Sequence, residues 1–145
     1  WFSVLLTMAS FLGQLGMITW FSCKMKHTVT HIHWGWAVIF LSLVYFYIHY
    51  FFASATAHVS SLFSAFLVVM LACGAPPLPA TLLMAFFSSL CAGLTHYGTG
   101  TAPVFFGANY IAISDWWRLS ALLSLFYIAV WGVIGGGWWY ILGYW

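Results

Sequence analysis

The residues most able to do chemistry stand in one run, Leu94-Thr95-His96-Tyr97-Gly98-Thr99-Gly100-Thr101-Ala102-Pro103. Thr95, Thr99 and Thr101 supply hydroxyls, and Gly98 and Gly100 admit backbone angles closed to other residues. Pro103 can open a helix without sacrificing a bonded N–H. The flanks, Leu78 to Gly93 and Val104 to Ile113, are strongly apolar. Each falls short of the ~20 residues needed to cross a hydrocarbon core of ~30 Å. Read together, 78–113 is one membrane span with an unwound loop at 94–103. Unwound backbone at membrane depth is tolerated only where protein buries it or where it lines a polar cavity. Transporters use such breaks to aim half-helix ends at substrates and ions, and a helix N-terminus attracts anions. The same spacing also fits a polar surface loop between two helices, or a redox site.

The histidines and cysteines offer less. His27 and His31 have the i,i+4 spacing of a helical metal pair. However, β-branched Thr28, Val29 and Thr30 disfavour a helix there, and no acidic partner stands nearby to orient a ligand. The pair reads as part of an interfacial loop. His49 lies in an apolar run and is a functional candidate for that reason, or else a hydrogen-bonding group to a neighbouring helix. A haem needs an axial ligand, often with a second histidine opposite. His58, nine residues on, is not placed across a bundle from His49 by that spacing. Cys23, Cys73 and Cys91 show no CxxC or metal spacing and are expected to be buried and reduced. The expectation is no catalytic residue and no bound metal.

The elements that must position these residues follow from composition. Of 145 residues, 65% are hydrophobic and only 3% charged, against about 25% charged in a soluble domain. The fold class is an all-α integral membrane protein, multi-pass and embedded in a lipid bilayer. The formal charges are Lys24, Lys26, Asp115 and Arg118. They make no basic patch, so nucleic acid is excluded as a partner. Basic residues on both sides of the spans leave the orientation open. The first residue, Trp1, sits inside an apolar run with no charged segment before it, so the chain is expected to be part of a longer protein.

In order, 1–33 is expected to form a membrane or interfacial helix and a polar loop. Gln14 there is a packing group or lines a cavity. Residues 34–73 are expected to form a re-entrant hairpin with its tip at 54–56. Trp34 and Trp36 begin it as an interfacial belt, and Ala53-Ser54-Ala55-Thr56-Ala57-His58 separates two apolar arms. A helix pair with a surface loop, or one long kinked helix, fits the same periodicity. Gly74-Ala75-Pro76-Pro77-Leu78-Pro79 breaks the chain before the broken helix. Residues 114–145 hold the final transmembrane helix, from about Leu119 to Leu142, with Ser114 or Asp115 as N-cap and Asp115 and Arg118 as an i,i+3 pair.

Two of these stretches occur in an order that resembles a known family. Phe52-Ala53-Ser54-Ala55-Thr56-Ala57-His58, followed by Gly93 through Gly107, is similar to the divalent anion:sodium symporter family. The nearest branch is that of the 2-oxoglutarate/malate translocators and related di- and tricarboxylate antiporters. The chain resembles the C-terminal third of a member. The resemblance implies half of an inverted-repeat transporter fold, in which each repeat supplies a hairpin with a Ser-Asn-Thr tip and a broken helix with a Thr-Pro motif.

By that resemblance Ser54, Ala55 and Thr56 occupy the second tip, and Thr99 and Gly100 the Thr-Pro position, with glycine where proline is usual. Ser54, Ala55, Thr56, Thr99, Gly100 and Thr101 are then the expected dicarboxylate-binding positions. Thr95, Gly98 and Ala102 are the expected ion-binding positions, with Na+ as the possible coupling ion and no other cofactor. Ala55 removes the tip asparagine's amide, and with it one carboxylate contact, which moves the expectation from strict sodium coupling towards exchange. The resemblance also implies alternating access, a homodimer, and a bacterial inner membrane or plastid inner envelope. The first hairpin and first broken helix would come from a missing N-terminal part. A sodium-coupled symporter, a membrane redox or haem subunit and a purely structural subunit are the competing readings.

Overall fold

The computed structural model describes residues 33–144 and, ahead of them, Thr7, Phe11, Gln14, Leu15, Gly16 and Trp20. Cys23, Lys24, Lys26, His27 and His31 lie outside the described residues, as does most of the expected N-terminal element. Gln14, expected to pack or to line a cavity, is exposed. The described elements are helical, with no strand among them.

Helix α1 spans Trp34–Ile48, and a 3-10 turn, His49–Phe51, continues it. The His33 ring accepts the Gly35 N–H at its start over 3.2 Å. Its buried side chains, Ala37, Val38, Leu41, Ser42, Tyr45 and Phe46, recur at the three- and four-residue steps that share one helix face. Phe52 and Ser54 are extended, and the chain folds back into α2, Ala55–Ala72. Each arm of this hairpin is an 18-residue apolar stretch, long enough to cross a membrane. The long kinked helix is therefore replaced by a hairpin.

Helix α2 ends where Gly74 takes a φ of +86°. The Gly74 N–H bonds to Leu71 O at 3.0 Å and the Ala75 N–H to Met70 O at 3.2 Å. This double closure needs a residue that tolerates the left-handed region. Pro77 then opens α3, Pro77–Leu90, at a position where a missing N–H costs nothing. A 3-10 turn, Cys91–Gly93, leads into the unwound segment.

The second half-helix is shorter than expected. Helix α4 covers only Ala102–Gly107, not Val104 to Ile113, because Asn109 turns the chain with a φ of 58°. The final helix in turn starts earlier, at Ile113. Helix α5 (Ile113–Ala129), a π-helical stretch (Val130–Gly135) and α6 (Gly136–Ile141) form one 29-residue apolar span. Ala112 holds the N-cap position with no side-chain cap, and Asp115 sits inside the first turn. Neither Ser114 nor Asp115 is the cap. An acidic side chain in the first turn still favours the helix dipole.

The core gathers α1, α2 and α3: Tyr45, Phe46, Phe66, Val69, Met70, Met84, Phe87, Cys91 and Leu94. The span from α5 through the π-helical stretch to α6 turns Leu122, Leu125, Phe126, Val133, Ile134 and Ile141 outwards, as a lipid-facing span does. Lipid removes the hydrophobic driving force between helices, so packing and interhelical hydrogen bonds hold them. Tyr45 Oη lies 2.7 Å from Ser88 Oγ and joins α1 to α3. Tyr47 Oη lies 3.2 Å from Ser124 Oγ and joins α1 to α5. Ser120 Oγ donates to Gly93 O at 3.3 Å, fixing α5 against the end of α3.

Candidate functional site

The hairpin turn and the unwound segment meet directly. The Ala55 N–H donates to the carbonyl oxygen of Gly98 over 2.9 Å. Ala55 is the first residue of α2, so its N–H has no partner within its own helix. The loop supplies that partner. Ser54 caps the same turn, its Oγ accepting from Ala57 N at 3.4 Å. Thr56, the third tip residue, is exposed.

On the loop side, Leu94 and Thr95 are buried, and so are Gly98 and Ala102. Gly98 is glycine for a spatial reason: a Cβ there would collide with Thr95 Oγ1 and His49 Nε2. Gly100 differs, being exposed with open space where a Cβ would go. Thr99 Oγ1 accepts the Ala102 N–H at 3.1 Å and lies 3.4 Å from Thr101 Oγ1. The Thr99 hydroxyl is thus a cap for α4, although the turn's backbone cap is Thr101. Tyr97 Oη donates to Tyr50 O at 2.8 Å, a second tie between the loop and the hairpin. The His96 ring packs against Phe106, with centroids 4.5 Å apart.

All six expected substrate positions therefore lie on two segments joined by the Ala55–Gly98 bond. Thr95, Gly98 and Ala102 lie behind them, in the interior. Thr95 Oγ1 is buried without a hydrogen-bond partner, while the Gly98 carbonyl is engaged by Ala55. Formal charge among the described residues is confined to Asp115 and Arg118, which line a surface cavity of about 470 Å³ with Tyr110 and Leu119. Among the described residues, the tip and loop offer hydroxyls and helix ends rather than cationic side chains.

His49 and His58 are placed differently from the expectation. The reversal at 52–54 brings their rings edge to face, 5.2 Å between centroids. Residue spacing along a continuous helix separates them, but a hairpin does not. Rings in direct contact cannot bracket a haem plane between them. His58 Nε2 lies 3.1 Å from Tyr45 O. His49 is buried with both ring nitrogens unpartnered. Cys91 is buried and Cys73 partly so, both free thiols.

The whole chain, residues 1–145, matches the family model described as the sodium:sulfate symporter transmembrane region. The chain belongs to the divalent anion:sodium symporter family. Among members of this family it is 55% identical over its full length to the provisionally assigned malate transporter YflS of Bacillus subtilis. It is 46% identical over its full length to dicarboxylate transporter 1, chloroplastic, of Arabidopsis thaliana. The L-tartrate/succinate antiporter of Escherichia coli is 32% identical over 95% of the chain. The chain spans 30%, 26% and 28% of the lengths of these relatives, respectively. Family membership and three helices long and apolar enough to cross a membrane make it a multi-pass integral membrane protein.

Proposed function

We propose that this chain is the C-terminal part of a secondary transporter that exchanges dicarboxylates, of the 2-oxoglutarate/malate type, by alternating access. The whole transporter moves its substrate and catalyses no reaction. The observation that supports the reading is the 2.9 Å bond from Ala55 N to Gly98 O. It joins the hairpin tip to the unwound loop, and among the described residues those two segments carry hydroxyls and helix ends for a dianion and no cationic side chain. Ser54, Thr56, Thr99 and Thr101 supply hydroxyls and Gly100 supplies backbone, while Ala55 holds the tip against the loop through its N–H. The relatives named as dicarboxylate, malate and tartrate/succinate transporters favour the same substrate class.

The working unit on this reading is a homodimer of a longer protein, in a bacterial inner membrane or plastid inner envelope. That longer protein supplies the first hairpin and first broken helix, so this chain alone does not transport. The hairpin at 34–73 is re-entrant, with its tip at 54–56 facing the substrate. The family description favours a second reading, sodium-coupled symport, with Na+ held near Thr95, Gly98 and Ala102. The full-length protein in liposomes separates the two. Uptake of labelled 2-oxoglutarate only with internal malate supports exchange. Uptake driven by an inward sodium gradient without internal substrate replaces it with symport, and no uptake in either condition overturns both.

A further inference from the structure

Behind the tip, three side chains of metal-binding type converge from three elements. His49 comes from the turn after α1, His58 from the start of α2 and Cys91 from the turn after α3. All three are fully buried. One donor atom from each lies within 4.8 Å of the other two, so the widest pair closes by up to about 1 Å when an ion is bound. His58 Nδ1 and Cys91 Sγ are 3.8 Å apart. Nitrogen and sulfur bound to one ion at about 2.0–2.1 and 2.3 Å stand roughly 3.6–3.8 Å apart in tetrahedral or trigonal geometry.

The surroundings fit a ligand set. A carbonyl oxygen only accepts, so His58 Nε2, at 3.1 Å from Tyr45 O, carries the proton. The lone pair on Nδ1 is thereby left towards Cys91. Ligating histidines receive this kind of outer support, which fixes tautomer and ring orientation. His49 provides the independent sign: a fully buried imidazole with neither nitrogen hydrogen-bonded. Such groups are rare, and each calls for an explanation.

We infer that His49, His58 and Cys91 form a binding site for a soft d10 metal ion, Cu+ or Zn2+. One thiolate and two imidazoles suit both ions. On binding, the Cys91 thiol gives up its proton to solvent and the sulfur donates to the metal, with no change of oxidation state. Cu+, one thiolate and two neutral imidazoles sum to zero charge. Zn2+ with the same ligands leaves one positive charge, which is costly in a buried site. Charge balance therefore favours Cu+. The bound ion ties the ends of α1, α2 and α3 together one layer behind the Ala55–Gly98 contact.

The test uses the full-length protein that contains this chain, purified in detergent, stripped of metal and held under reducing, anaerobic conditions. Cu+ and Zn2+ are added in separate titrations, and bound metal is counted per chain. The expected result is one ion per chain that is lost in both Cys91→Ser and His49→Gln. X-ray absorption on the unmodified protein then shows one sulfur and two nitrogen neighbours. Whichever ion gives this result is the ligand. The site is overturned if neither ion binds at one per chain, if the variants keep it, or if the first shell holds no sulfur. The absorption measurement stands without the variants, so a variant that fails to fold leaves the test intact.

Discussion

Gly98 presents its carbonyl to the backbone N–H of Ala55 at 2.9 Å, while its missing side chain leaves room for His49 and Thr95 on its other side. One glycine thus joins the unwound loop to the hairpin tip in front and to the buried histidine behind. Changes at this residue should reach both surfaces.

Gly98→Ala places a methyl group against Thr95 Oγ1 and His49 Nε2. Overpacking of this kind costs about 1–3 kcal/mol. We expect a lowered melting temperature and loss of dicarboxylate uptake in the full-length protein. Gly100→Ala is the matched control for stability, because nothing stands within 4 Å of its Cβ position. Equal falls in melting temperature from the two substitutions would show that close packing is not what requires glycine at 98.

Ser54→Ala removes the side-chain cap of α2, whose bond to Ala57 N is 3.4 Å long. Cap losses run about 0.5–2 kcal/mol, and a long bond belongs at the low end. Stability should fall by about 0.5 kcal/mol, while KM for dicarboxylate should rise more than the stability loss explains if the proposed function holds and the hydroxyl binds the anion. An unchanged KM would limit Ser54 to capping.

Thr99 Oγ1 caps α4 through Ala102 N at 3.1 Å. Thr99→Val preserves shape and removes the acceptor; Thr99→Ser retains it. The valine variant should lose uptake and the serine variant keep it, with a stability difference of about 1 kcal/mol. Matching losses in both variants would implicate the methyl group instead of the hydroxyl.

Tyr45 and Ser88 join α1 to α3 through a 2.7 Å contact. Interhelical polar contacts in membrane proteins average about 0.6 kcal/mol. A double-mutant cycle of Tyr45→Phe and Ser88→Ala should return a coupling energy of about that size. A coupling near zero would mean that packing alone sets this helix pair.

Much of the architecture was legible in the residues themselves. An all-helical membrane protein follows from scarce charge and long apolar runs, since lipid allows only helices and closed barrels to span it and barrel strands alternate polar with apolar residues. The breaks at Ala53–Ser54, Gly74–Pro79 and Leu94–Pro103 were equally plain, because glycine, proline and small polar residues interrupt helices by local sterics alone. Tertiary structure decided what met across them. His49 and His58 sit nine positions apart, and no local rule specifies that the chain reverses between them to bring their rings to 5.2 Å. The bond from Ala55 to Gly98 spans 43 residues and uses backbone atoms that every residue carries, so no residue type announces it. Nor does sequence distinguish Gly98 from Gly100. The difference lies in Thr95 and His49 crowding one and open space beside the other, a matter of packing between segments far apart along the chain.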